Sequence, residues 1–314
     1  VITPLEMMGA KVVAREGGLL PLSITGPKDT LAITYKLPVA SAQVKSCVML
    51  AGLSAMGTTT VIEETPTRDH TENMLKAFGV SVQVENIDGG AQAIHVTGQQ
   101  DLKATEIFVP SDPSSAAFPA VAALLCEGSE IRMDNILMNE RRNGIYTTLM
   151  EMGADITLEN ERIEAGEKVA DLIIKGGKIL KGIDVPAARV PSMIDEFPVL
   201  AVAASCANGT TTMSGLAELR VKESDRLLMM YEGLKACGVT LEMGEESLTI
   251  HGSGKAPEGG CEVKTALDHR IAMSFLVLGC VSKNPISIDD GSPIKTSFPN
   301  FVDLMNGLGA KITA

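Results

Sequence analysis

Met152-Gly153-Ala154-Asp155 is one of five renderings of a single phrase, and its recurrence decides how the rest of the chain is read. The others are Met8-Gly9-Ala10-Lys11, Phe78-Gly79-Val80-Ser81, Cys237-Gly238-Val239-Thr240 and Leu308-Gly309-Ala310-Lys311. Taken along the chain, the glycines stand 70, 74, 85 and 71 residues apart. Self-similarity at a near-constant period signals a repeated structural unit. Each glycine follows spaced apolar residues, such as Met74, Leu75 and Phe78, and so reads as the left-handed residue that closes a helix.

Strands are expected next. Leu22-Ser23-Ile24-Thr25-Gly26, Ile94-His95-Val96-Thr97-Gly98, Leu172-Ile173-Ile174-Lys175-Gly176 and Leu248-Thr249-Ile250-His251-Gly252 hold equivalent places in successive units. Each unit also has a helix apolar nearly all round, over residues 116–125, 199–207 and 271–281, followed by a Thr/Val/Ile-rich strand such as 58–62 or 210–213. A helix apolar on every face has to be covered on every face, so these helices belong inside a domain. The order per unit is β-α-β-α-β-β. Complete units begin near residues 32, 106 and 182, a fourth begins near 261, and residues 1–26 are the tail of a preceding one. Residues 1–9 read as the end of an amphipathic helix without signal-peptide character, which suggests a natural sequence that starts earlier.

Composition narrows the function. A chain of 314 residues, 45% hydrophobic, can bury the cores of two domains. A formal charge of −12, with seven Phe, three Tyr and no Trp, argues against a surface that binds nucleic acid phosphates and stacks bases. Any anionic ligand must be held by a few local cations working against the overall field. No apolar run reaches the length of a membrane span. The six Cys form no CxxC pair, and Cys47, Cys126, Cys206 and Cys280 lie in apolar stretches, as packing thiols of a cytoplasmic protein do.

The chemistry is expected at the polar first turns of the buried helices: Ser41-Ala42-Gln43-Val44-Lys45, Ser114-Ser115, Asp195-Glu196 and Asp268-His269-Arg270. Several helix N-termini aimed at one cleft make an anion site. Ser114, Ser115 and Asp268 can equally be caps with no ligand. Arg270 stands where the helix dipole disfavours a cation unless an anion intervenes; a guanidinium directed into water is the alternative. The densest charged run, Glu218-Leu219-Arg220-Val221-Lys222-Glu223-Ser224-Asp225-Arg226, leads into an amphipathic helix reaching about Ala236. If that run is helical, Lys222 and Arg226 share a face and Glu223 orients Arg226. Asp195 and Glu196 can supply a base and an acid if their environments differ.

These residues resemble the signatures of the EPSP synthase (3-phosphoshikimate 1-carboxyvinyltransferase) family. The resemblance rests on Leu37-Pro38-Val39-Ala40-Ser41-Ala42-Gln43-Val44-Lys45-Ser46, Thr67-Arg68-Asp69-His70-Thr71-Glu72, residues 219–226 and Leu267-Asp268-His269-Arg270-Ile271-Ala272-Met273. It runs through nearly the whole chain, and the Thr67–Glu72 wording is similar to the bacterial branch called class II. It implies an α/β fold of two inverted α/β barrels built from βαβαββ units, with the first domain incomplete. Residues 1–106 would be the C-terminal part of the N-terminal domain and 107–314 the C-terminal domain.

The implied reaction moves the enolpyruvyl group of phosphoenolpyruvate to the 5-hydroxyl of 3-phosphoshikimate and releases inorganic phosphate, with no metal or organic cofactor. By motif match Ser41, Gln43 and Arg68 hold 3-phosphoshikimate, Asp195 is the base, Lys222 sits beside it and Glu223 is the proton donor. Arg226 and Arg270 bind phosphoenolpyruvate. Glyphosate is the inhibitor the family suggests. Family members carry further substrate-binding residues ahead of the point matching Val1, so the chain alone is expected to be inactive. Two other readings stay open here: a UDP-N-acetylglucosamine enolpyruvyl transferase, which would bind a nucleotide sugar, and a non-catalytic split subunit or remnant.

Overall fold

In the computed structural model, which describes residues 1–313, all five phrase glycines have left-handed backbones, with φ of 100° at Gly9, 81° at Gly79, 91° at Gly153, 83° at Gly238 and 108° at Gly309. Each directly follows the residue that closes a helix: Met8, Phe78, Met152, Cys237 and Leu308. The chain divides into two units, Val1–Val109 with Ile163–Glu167, and Pro110–Arg162 with Lys168 onward.

The first unit opens with α1 (Ile2–Met7) and the antiparallel hairpin of β1 (Lys11–Arg15) and β2 (Leu19–Thr25). Then come β3 (Thr30–Leu31), β4 (Thr34–Lys36), α2 (Ala42–Gly52), β5 (Ala55–Met56), β6 (Thr58–Glu63), α3 (His70–Ala77), β7 (Val82–Asn86) and β8 (Gln92–Thr97). The β-branched run Thr58-Thr59-Thr60-Val61-Ile62 alternates its side chains between the two faces of the sheet, as a half-buried strand does. The sheet order is β4-β6-β8-β7, with β4 parallel to β6 and the other pairs antiparallel. Val48 and Met49 of α2 pack with Val61, Ile94 and Val96 to form this unit's core.

The second unit contains α4 (Pro113–Leu125), β9 (Glu130–Leu137), α5 (Gly144–Glu151), β10 (Asp155–Glu164) and β11 (Glu167–Lys175) apart from the ends they contribute to the first unit, then β12 (Asp184–Val185), α6 (Phe197–Cys206), β13 (Asn208–Ser214), α7 (Arg226–Ala236), β14 (Thr240–Met243), β15 (Ser247–Ser253), β16 (Glu262–Val263), α8 (His269–Gly279), β17 (Ser287–Ile288) and α9 (Phe301–Gly307). The sheet β12-β13-β15-β14 repeats the order and directions of the first unit's sheet. The helices α4, α6 and α8, apolar nearly all round, pack on one another at the centre, and eleven residues of α4 and nine of α6 are buried. They belong there because none of the three offers water a polar face.

Cys126, Cys206 and Cys280 mark the C-terminal ends of these three helices. All six cysteines are free thiols. Burial pushes the Cys206 and Cys280 thiols up to about 11, which keeps them protonated and inert and supports their role in packing. The unit expected to begin near residue 106 lacks its first strand. Residues 101–110 are irregular, and only the bridge of Ser111 to Ile136 takes the strand's place. Pro110 has no N–H to give to a ladder there.

Candidate functional site

Three helix starts converge in the second unit. A 3₁₀ turn, Ile194–Glu196, runs straight into α6 and carries Asp195. Asp225 caps α7 by accepting from Leu228 N at 3.0 Å, and Asp268 caps α8 by accepting from Arg270 N at 2.9 Å. Ala266 and Leu267, just before that cap, hold left-handed backbones with φ of 51° and 59°. Such strain in residues with side chains collects at functional sites, where the surroundings over-determine the conformation.

Arg226, the first residue of α7, ties the three together. Its Nε donates to Asp268 Oδ2 at 2.8 Å, its Nη1 to Asp195 Oδ1 at 3.1 Å and its Nη2 to Glu223 Oε2. Arg226 and Asp268 are both wholly buried. Burial alone would raise the Asp268 carboxyl, but Arg226, the Arg270 N–H and Ser224 Oγ at 3.0 Å outweigh it and hold Asp268 below the usual carboxylate range. Lys222 Nζ lies 3.9 Å from Asp195 Oδ1 and also pairs with Glu218.

Arg270 is not a surface arginine. Its Nη1 donates to the Asp195 carbonyl at 3.1 Å and stands 3.5 Å from Glu196 Oε1, with the side chain 16% exposed. The anion its helix position calls for is therefore Glu196. Burial pushes the Glu196 carboxyl up, with Arg270 and Ser114 opposing. Asp195 and its neighbour thus stand in different settings, one against two cations at a partly open face and the other buried.

Two expectations need correcting. Lys222 and Glu223 precede the helix: a 3₁₀ turn covers Ala217–Val221, Lys222 is extended, and α7 begins only at Arg226. Their meeting with Arg226 is made by Asp195 and by the approach to the cap, not by a shared helical face. Ser114 and Ser115 do not cap α4. Asp112 does, accepting from both backbone N–H groups at 3.3 and 2.9 Å, while Ser114 Oγ accepts from Arg142 Nη2 at 2.6 Å. Sequence reading passed over Arg142 because Glu140-Arg141-Arg142-Asn143 looks like an ordinary charged loop.

Ser41, Gln43 and Arg68 belong to the first unit. Ser41 caps α2, accepting from Val44 N at 3.3 Å, and its Oγ lies 3.5 Å from Gln43 Oε1. Arg68 sits two residues before α3. The N-terminal halves of the two helices are pinned together by Ser46 Oγ and Thr71 Oγ1 at 2.6 Å and by Lys45 with Glu72 at 2.7 Å. Among the described residues there is no group of three or more His, Cys, Asp or Glu arranged to hold a metal, and no helix long and apolar enough to cross a membrane.

The family model for EPSP synthase (3-phosphoshikimate 1-carboxyvinyltransferase) matches residues 1–305. The chain belongs to the EPSP synthase family. The 3-phosphoshikimate 1-carboxyvinyltransferase of Paramagnetospirillum magneticum is 59% identical over 313 residues, covering 100% of this chain and 70% of the relative. The solved EPSP synthase of Acinetobacter baumannii superposes with a TM-score of 0.92 at 46% identity, over 99% of this chain and 70% of that one. The enolpyruvyl transferase NikO of Streptomyces tendae, at 16% identity over 99% of this chain and 71% of its own, shares the fold with a TM-score of 0.72. These likenesses bear out the α/β enolpyruvyl transferase fold.

Proposed function

We propose that Asp195, Lys222, Glu223, Arg226 and Arg270 carry out enolpyruvyl transfer from phosphoenolpyruvate to the 5-hydroxyl of 3-phosphoshikimate, with Ser41, Gln43 and Arg68 holding the latter. The observation that carries this reading is the Asp195 carboxylate, which receives Arg226 at 3.1 Å and faces Lys222 at 3.9 Å. A carboxylate so placed can take the hydroxyl proton while the ammonium offsets charge on the attacking oxygen. That oxygen bonds to C2 of phosphoenolpyruvate as C3 accepts a proton from Glu223, giving a tetrahedral adduct. Loss of phosphate from C2 and of a proton from C3 then yields the enolpyruvyl ether.

Arg226 and Arg270 hold the anionic groups of phosphoenolpyruvate, since guanidinium forks match both carboxylate and phosphate. Of the three carboxylates on Arg226, only that of Glu223, with a side chain 52% exposed, is open enough to be displaced by an incoming anion. The exchange frees Glu223 from the guanidinium, so that its half-exposed carboxylate can take up a proton from solvent and pass it to C3. Glyphosate, itself a carboxylate and phosphonate, should compete with phosphoenolpyruvate for the same pair of guanidinium groups. The six unpaired thiols support a cytoplasmic setting.

The test is phosphate release from the two substrates by the full-length enzyme and its Asp195→Ala variant. Loss of release by a factor of roughly a hundred or more, with the fold intact, is the expected result for a general base. Unchanged release would remove Asp195 from the mechanism.

A further inference from the structure

Lys45 lies under the first turn of α2 with no exposed surface, and two carboxylates share its ammonium: Glu63 Oε1 at 3.2 Å and Glu72 Oε1 at 2.7 Å. Both are buried as well, at 1% and 3% exposure. The second oxygen of Glu72 has no hydrogen-bond partner. Burying three ionisable groups together is a poor way to gain stability, because desolvation offsets most of the attraction. An arrangement of that kind is better explained by the geometry it fixes.

That geometry concerns Arg68. Glu63 is the last residue of β6, and Glu72 lies in the first turn of α3. The intervening segment, with Arg68 within it, therefore has both its ends attached to one ammonium. Glu63 reaches further into it with its other oxygen, accepting from Thr67 N at 3.1 Å and Thr67 Oγ1 at 2.7 Å. Thr67 adjoins Arg68, and Lys45 sits one helical turn beyond Ser41, whose carbonyl accepts from Lys45 N at 3.1 Å. A single buried side chain thus connects the start of α2, the end of β6 and the start of α3.

We propose that Lys45 is a positioning residue for 3-phosphoshikimate: through Glu63 and Glu72 it fixes the segment bearing Arg68 relative to Ser41 and Gln43. The inference rests on the assignment of Arg68, Ser41 and Gln43 to that substrate. Lys45 touches no substrate itself, so its loss acts on binding of one substrate and not on the chemical step.

The experiment uses the full-length enzyme, with kinetics for both substrates and thermal unfolding. Lys45→Met removes the ammonium that both buried carboxylates share and can fail to fold, so a compensated triple variant, Lys45→Met with Glu63→Gln and Glu72→Gln, accompanies it. In the triple variant the KM for 3-phosphoshikimate should rise on the order of tenfold, the loss expected when a charged hydrogen bond is misplaced, while kcat and the KM for phosphoenolpyruvate change less than about threefold. Arg68→Ala should weaken 3-phosphoshikimate strongly in the natural background and much less in the triple variant, because coupled residues lose their effect together. A folded triple variant with the natural KM, or full additivity with Arg68→Ala, overturns the proposal and leaves Lys45 as a buried counter-ion. No effect of Arg68→Ala in the natural background overturns the substrate assignment, and the inference with it.

Discussion

Arg226 and Glu196 show how two buried charged groups of the same site can pull stability in opposite directions. Removing the guanidinium with Arg226→Met strands Asp268, wholly buried, without its cation. The expected cost is about 3–5 kcal/mol, read from the denaturant midpoint, and a cost under ~1 kcal/mol would show that Asp268 is compensated elsewhere. Asp268 has a depressed folded-state pKa, so its contribution is complete above its unfolded value of about 3.9 and is lost as pH falls through the folded value. Glu196 has the opposite sign. Burial raises it, so its ionised form costs stability at neutral pH, and the cost disappears as pH falls through the raised value towards about 4.3. Glu196→Gln should therefore raise Tm near neutrality, with the gain shrinking in acid; a gain independent of pH would mean that packing, not charge, is responsible. At this scale Asp195, Lys222, Arg226 and Arg270 were legible because each sits in a distinctive run of sequence. Arg142, Ser224 and the Lys45–Glu63–Glu72 group were not, because their meaning lies in partners 18 to 44 residues away that only the fold brings near.

Among the elements, the glycines separate backbone strain from packing. A Cβ at Gly153 would meet nothing within 4 Å, so Gly153→Ala isolates the left-handed backbone and should cost about 1–2 kcal/mol. Gly233 is the reverse case. It sits inside α7 with ordinary helical dihedrals, but a Cβ there would lie 2.2 Å from Phe275 Cζ of α8, and Gly233→Ala should cost about 1–3 kcal/mol through overpacking. Equal destabilisation of Gly153→Ala and a Gly153→Asn variant, which tolerates the left-handed region better, would contradict the backbone account. The same glycines are why the repeat could be read from sequence: a helix end that needs positive φ leaves a mark in the residue type. The irregular entry at Ser111, joined to its sheet by one bridge, left no such mark, since Ile107-Phe108-Val109 has the composition of a strand but lies before a proline. Grouping of the units into domains is likewise invisible to periodicity, because every unit carries the same signals.

For the molecule as a whole, the repeats are unequal in how fully their sheets are built. The sheets β4-β6-β8-β7 and β12-β13-β15-β14 each have four strands, whereas β16 and β17 pair only with each other among the described residues. In the complete sheets the strand after the buried helix is bonded on both sides: β13 lies between β12 and β15, and β6 between β4 and β8. The corresponding strand of the last unit is β17, bonded to β16 alone through Ser287 N to Cys261 O at 3.0 Å and Asp289 N to Val263 O at 3.1 Å. A groove of about 1100 Å³ adjoins the pair, lined by apolar residues such as Ile131, Ile286, Ile288 and Leu308 and by polar ones such as Ser129, Glu262 and Lys311. An edge with open N–H and C=O groups is the least protected backbone in a β structure. Amide hydrogen exchange on this chain should therefore show Ile288, whose N–H points away from β16, exchanging orders of magnitude faster than Ile250, which is buried and paired with both Thr211 and Leu241. Protection at Ile288 equal to that at Ile250 would mean the last unit opens only with the whole second unit, and the four-stranded sheets would then have no special part in holding it together.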